Sequence, residues 1–172
     1  ANFDLIWVGM FPGVRESRRI ICDYMLNEND VLHNHRFPDV VAYGGWHIDN
    51  HVPGGLYTAD KVPSFVYEFR GSYDIPYRSY LVKGKTNLYA GGRCMGASKL
   101  GMASSRVMGT CAIGGQAIGT AAALCLKGDG DIRHVDVEAL QQTLLRDDCY
   151  LPLHENTDPL DLARGGKVTA SS

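Results

Sequence analysis

His47, Asp49 and His51 alternate along the chain, so a strand at that point sets all three on one face. Such an H-x-D-x-H strand suits two chemistries. Three ligands could gather round a metal ion, or an imidazole that titrates near neutral pH could move a proton. A half-exposed strand with its polar side turned to solvent gives the same pattern. Arg15, Arg18 and Arg19 form a second group. Their guanidinium forks match a carboxylate or polyol, and equally match surface pairing with Glu16 or Asp23. Cys94 follows Arg93 but has no partner thiol in a C-x-x-C spacing, so redox catalysis by it is the weaker option beside simple packing.

The elements that would position such groups centre on residues 87–126. Asn87 to Ala90 reads as a short apolar strand, followed by the loop Gly91-Gly92-Arg93-Cys94-Met95-Gly96. Its missing side chains admit a close visitor such as a cofactor phosphate or sugar. A long helix is predicted to open around Ala103 to Met108, with Ser104 or Ser105 as its cap and free N–H groups directed outward. That end carries about half a positive charge, so Arg106 opposes it and calls for a cofactor or acidic neighbour. Gly109, Ala112, Gly115, Gly119, Ala122 and Ala123 recur at helical spacing, which makes one face flat enough for another backbone. Each interior glycine costs about 1 kcal/mol against alanine, and tight packing must offset it. A helix that merely packs against a sheet has the same features. Its end is expected near Lys127-Gly128.

The remaining chain supplies a framework. Apolar residues from Phe3 to Phe11 read as a strand ended by Pro12-Gly13, and a second strand is favoured from Val14 to Ile21. Asn27-Glu28-Asn29-Asp30 resembles a helix cap. Between Phe37 and Tyr80, β-branched and aromatic residues broken by Gly44-Gly45, Pro53-Gly54-Gly55 and Gly71-Ser72 indicate several antiparallel strands. A last helix over Asp136 to Asp147 sets Val137, Leu140 and Leu144 on one side. The fold class is therefore α+β: an antiparallel sheet region, then a short strand and a long glycine- and alanine-rich packed helix.

A chain of 172 residues with net charge -2 and 45% hydrophobic content is that of an ordinary soluble protein and offers no basic field to nucleic acid. Its five scattered cysteines imply reduced, mostly buried thiols. No basic and apolar leader pattern is read at its start, but the chain does not begin with Met and is expected to start inside a longer protein, so this says little of the compartment. Residues 102–126 imitate a membrane span, but Arg106, Gln116 and four glycines argue for a buried helix of a soluble protein instead. The compartment is open between cytoplasmic and periplasmic or secreted.

Several stretches carry a resemblance in common order. Ile75-Pro76-Tyr77-Arg78-Ser79, residues 87–94, residues 105–112 and residues 115–122, preceded by residues 12–20 and Ile48-Asp49-Asn50-His51, resemble the C-terminal signature of the FAD-dependent oxidoreductase family. That signature is broadly similar to the one in glutathione-reductase-like flavoproteins. The resemblance runs from Pro12 to Leu151 and implies part of an α/β FAD-binding fold. It implies FAD as cofactor, with Ala90, Gly91, Gly92 and Arg93 beside the ribityl chain and Ser105, Arg106, Val107 and Met108 facing the flavin pyrimidine edge. His51 and Arg15 become the catalytic candidates, and no resident metal is expected.

The family's G-x-G-x-x-G fingerprint for the cofactor pyrophosphate does not occur in this chain. The expected partners are accordingly a missing N-terminal half of the same polypeptide and a small-molecule substrate, organic or sugar-like. Residues 1–86 would be strands and loops of a substrate domain, 87–151 the C-terminal segment of the FAD domain, and 152–172 a linker. The ending Asp161 to Ser172 resembles the entry into a discoidin-like carbohydrate-binding sandwich. A flavin-independent alternative is a carbohydrate-binding module, or a lyase or hydrolase part, that uses His47, Asp49 and His51.

Overall fold

The computed structural model describes residues 6–10, 18–54, 57, 60, 62–161, 166, 167 and 169. Its elements are α1 (Glu28–Leu32), β1 (Val40–Gly44), β2 (Ile48–His51), β3 (Ser64–Tyr67), β4 (Tyr73–Pro76), α2 (Lys99–Ser105), α3 (Met108–Cys125) and α4 (Val137–Arg146). Strands pair antiparallel as β1 with β4 and β2 with β3, in two separate two-stranded sheets. Helices and small antiparallel sheets together make the chain α+β, as its sequence implies.

Local signals explain the two flanking helices. Asn27 caps α1 by accepting from the Asn29 amide at 2.9 Å, and Asp30 reaches back to the Asn27 amide at 3.0 Å. Asp136 caps α4, which buries Leu140, Leu144 and Leu145. Gln141 ties α4 to the start of β1 by donating to the carbonyls of Pro38 and Val40, both at 2.9 Å.

The core lies where β1, β4 and the inner face of α3 meet. Every residue of β4 is buried, including Asp74, whose carboxylate accepts from Arg36 at 2.6 Å and from the Phe37 amide at 3.0 Å. Those two donors satisfy a charge that burial would otherwise penalise. Gly114 turns inward on α3 beneath the fully buried Tyr80: a Cβ there would lie 2.4 Å from the phenol oxygen. Gly101 lets α2 press on residue 26, since its Cβ would fall 2.3 Å from the Leu26 carbonyl oxygen. The segment at Leu26 also pairs with Ala97, accepting from the Ser98 amide at 2.7 Å.

Several expectations require correction. Residues 18–21 form no strand; only Cys22 bridges, to Val82. Residues 6–10 are irregular and leave Ile6, Trp7, Val8 and Met10 exposed, while residues 1–5 and 11–17 lie outside the described residues. Residues 87–90 hold a single bridge, Tyr89 to Leu81, in place of a strand. Of the cysteines, Cys22 and Cys125 are buried, Cys111 and Cys149 half-buried, and Cys94 exposed.

The long helix also departs from expectation. It is two helices, broken at Arg106-Val107, and Ser98 rather than Ser104 or Ser105 caps the first by accepting from Gly101 at 3.0 Å. The flat face of α3 is not packed among the described residues. Gly109, Ala112, Gly115, Gly119 and Ala123 are exposed, and a Cβ on Gly109, Gly115 or Gly119 would meet nothing within 4 Å. By length and a mean hydropathy of 1.2, α3 is apolar enough to cross a membrane, and 28% of it is buried. A core helix meets the same criterion.

These contrasting glycines can be tested by urea unfolding. Gly101→Ala should lose about 1–3 kcal/mol through overpacking against backbone. Gly119→Ala should gain up to about 1 kcal/mol, because helix propensity improves at an open position. Equal effects at the two positions would contradict the packing described.

Candidate functional site

Antiparallel pairing of β2 with β3 turns Asp49 and His51 to one face, two residues apart, and sets His51 opposite Ser64. His51 Nε2 lies 2.9 Å from Asp49 Oδ2, with the imidazole half exposed and the carboxylate 25% exposed. Arg106 approaches the same residue from α2. Its Nη2 donates to the Asp49 carbonyl at 3.0 Å and comes within 3.4 Å of Oδ2, and its side chain is only 11% exposed. Partial burial works to raise the Asp49 pKa, but a hydrogen bond from Ser64 and the charges of His51 and Arg106 outweigh it and hold the carboxyl below its usual range. Asp49 is thus an anion fixed between an imidazole and a guanidinium.

Arg106 is well placed for electrostatics, contrary to the reading that set it at a helix start. It is the C-cap of α2, where helix carbonyls favour a cation. Val107 then turns extended, and α3 begins at Met108 with no side chain capping it and Met108 89% exposed. The first amides of an 18-residue helix are therefore left to an external acceptor or water. Ser105, behind this start, is buried and its hydroxyl has no hydrogen-bond partner among the described residues.

The glycine loop runs beside the same helix. Ala90 is buried, its amide donating to the Tyr80 carbonyl at 2.9 Å. Gly91 touches α3 so closely that a Cβ would lie 2.4 Å from Ile118 Cδ1. Gly92 takes φ +58 with open space where a side chain would be, a left-handed conformation that favours glycine. Arg93 is exposed, and its charge reaches the first turns of α3: burial raises the Cys111 thiol pKa, and Arg93 partly counters it. The eight expected cofactor residues thus occupy the loop beside α3 and the joint that begins it.

Arg19 lies in the recess with Asp49 and His51, whereas Arg18 is exposed and Arg15 lies outside the described residues. His47 belongs to the turn before β2, and its ring sits 4.6 Å from that of Trp46. Among the described residues, no three His, Cys, Asp or Glu side chains are grouped to hold a metal, so the H-x-D-x-H spacing does not assemble a ligand set there. Sequence reasoning missed the ties of Ser64 and Arg106 to Asp49. Arg106 stands 57 residues away, and no local pattern signals such a contact.

A model of the family described as FAD dependent oxidoreductase matches residues 1–144. The chain belongs to the FAD dependent oxidoreductase family. No curated protein and no solved structure matches it. FAD binding goes with the family, and the residues present fit one side of such a cofactor. The uncapped start of α3 offers amides to an electron-rich group, and open space over Gly92 admits close backbone approach.

Removing Arg106 as Arg106→Gln should raise the apparent pKa of Asp49 toward the ordinary carboxylate value near ~3.9, read by carboxyl ¹³C NMR. In the native chain the lowered pKa contributes stability above that value, which is lost as pH falls through the folded pKa. An unchanged Asp49 titration would remove Arg106 from the pair.

Proposed function

We propose that this chain supplies the substrate-side and flavin-side residues of an oxidoreductase that transfers hydride between a small organic or sugar-like molecule and FAD. The observation that carries the reading is the sharing of Asp49 between His51 and Arg106, because it joins a proton-accepting group to the helix joint that begins α3. Bound FAD would supply the hydride acceptor; all other roles belong to the chain.

In this reading His51 accepts the proton of a substrate hydroxyl as hydride leaves the adjacent carbon. Asp49 orients the imidazole and stabilises it once charged, and Arg106 keeps Asp49 ionised and in place. The amides at the start of α3 favour the negative charge that develops on a reduced flavin, without having to reorganise. Residues Ala90 to Arg93 would lie along the cofactor's polar chain. The pyrophosphate site would come from a dinucleotide-binding half elsewhere in the same polypeptide, with residues 1–86 and 87–151 divided between substrate and FAD domains. The 172-residue chain alone would then hold FAD weakly and be inactive. The carbohydrate-linked ending falls largely outside the described residues and adds no support.

Two substitutions in the flavin-loaded gene product separate these roles. His51→Asn should slow flavin reduction by substrate about 10²–10⁴-fold at unchanged flavin content, followed by stopped-flow absorbance. Gly92→Ala should instead lower the flavin-to-protein ratio on purification. If His51→Asn reduces its flavin at the native rate, His51 is not the base.

A further inference from the structure

The recess beside Asp49 is more cationic than proton transfer alone requires. Arg19 enters it from the segment before Cys22, Asp49, Asn50 and His51 line it from β2, and Lys99 and Arg106 line it from α2. Lys99 and Arg106 lie seven positions apart on one helical face, about 10 Å along the axis, with buried Met102 and Ala103 between them. Among the described residues, three cations and one carboxylate line the recess, and that carboxylate is already shared by His51 and Arg106. Among the described residues neither Arg19 nor Lys99 takes part in an ion pair or side-chain hydrogen bond. Arg19 is half-buried and Lys99 exposed, and Lys99 stands at the opposite end of α2 from Arg106.

The geometry points to this end as a seat for the carboxylate of an organic-acid substrate, an assignment that rests on the flavin-dependent reading of the same site. Arg19 provides the planar donor fork and Lys99 a mobile ammonium. The carbon skeleton lies toward Met102 and Ala103, and a hydroxyl near the carboxylate reaches His51. The recess is small, about 50 Å³. It therefore accepts the end of a molecule and leaves the rest in the open. A neutral polyol would leave the charge of Arg19 and Lys99 unanswered.

The test is a titration of the 172-residue chain, labelled with ¹³C and ¹⁵N in histidine, following the His51 ring signals. Probes are glycolate, its neutral counterpart glycolamide, and inorganic phosphate. Glycolate should move the His51 signals saturably, more weakly as salt rises, and glycolamide should not. Arg19→Gln with Lys99→Gln should weaken glycolate by at least tenfold, about 1.4 kcal/mol, while Arg19→Lys with native Lys99 keeps part of the affinity. Far-UV circular dichroism checks that each variant is folded. Equal response to glycolate and glycolamide, no response to either, or tighter binding of phosphate would overturn the assignment. Its failure is distinguishable from failure of the flavin reading: a gene product that retains flavin and depends on His51 but shows no preference for carboxylates loses this inference alone.

Discussion

One carboxylate holds the candidate site together. Asp49 is contacted by His51 from its own strand, by Ser64 from the paired strand, and by Arg106 from the end of α2. Hydrogen bonds to a charged group of this kind contribute about 1.5–3 kcal/mol each, and those from His51 and Arg106 converge on a single side chain. The consequence is positional as much as energetic. Because Arg106 immediately precedes the turn into α3, the strand that carries His51 is tied to the point where α3 exposes its first amides. A nearby link reinforces the arrangement: the Ser104 hydroxyl bonds both to Tyr73, at 2.7 Å, and to the Trp46 carbonyl.

The helix joint explains how one segment serves two purposes. A continuous helix from Lys99 to Cys125 would bury the amides of residues 108–110 in its own hydrogen-bond ladder. Breaking it at Val107 frees them and adds a second C-terminus, where Arg106 is electrostatically favoured. Beside the break, Ser105 is buried with its hydroxyl unpartnered among the described residues, and the face of α3 that carries Gly109, Gly115 and Gly119 is exposed. The exposed face has no packing within the described residues to offset its glycines, so the helix propensity lost there is uncompensated in this chain.

How much of this could be read from sequence depends on the range of each interaction. The cap at Asn27, the last helix after Asp136, the antiparallel pairing between residues 40 and 76, and the shared face of Asp49 and His51 all follow from local rules, and all are present. The break at Arg106-Val107 has no proline or glycine to mark it, and two serines nearby offered plausible but mistaken caps. Residues 87–90 have a strand's composition, yet only Tyr89 finds a partner, because pairing depends on a neighbour that composition does not specify. Small residues on α3 signalled close approach without naming what approaches; the structure divides them between Gly114, pressed by Tyr80, and Gly119, open to space. Family membership was legible through ordered motifs, and the match over residues 1–144 agrees with it.

The central claim is that these residues face a flavin. Its most direct test is to purify the natural gene product containing this chain from its own cells and record its visible spectrum, then release and identify any chromophore by chromatography. The account predicts the two-band absorption of an oxidised flavin at close to one equivalent per chain, with FAD as the released molecule. A fully folded gene product with no flavin, and none taken up when FAD is added, would contradict it.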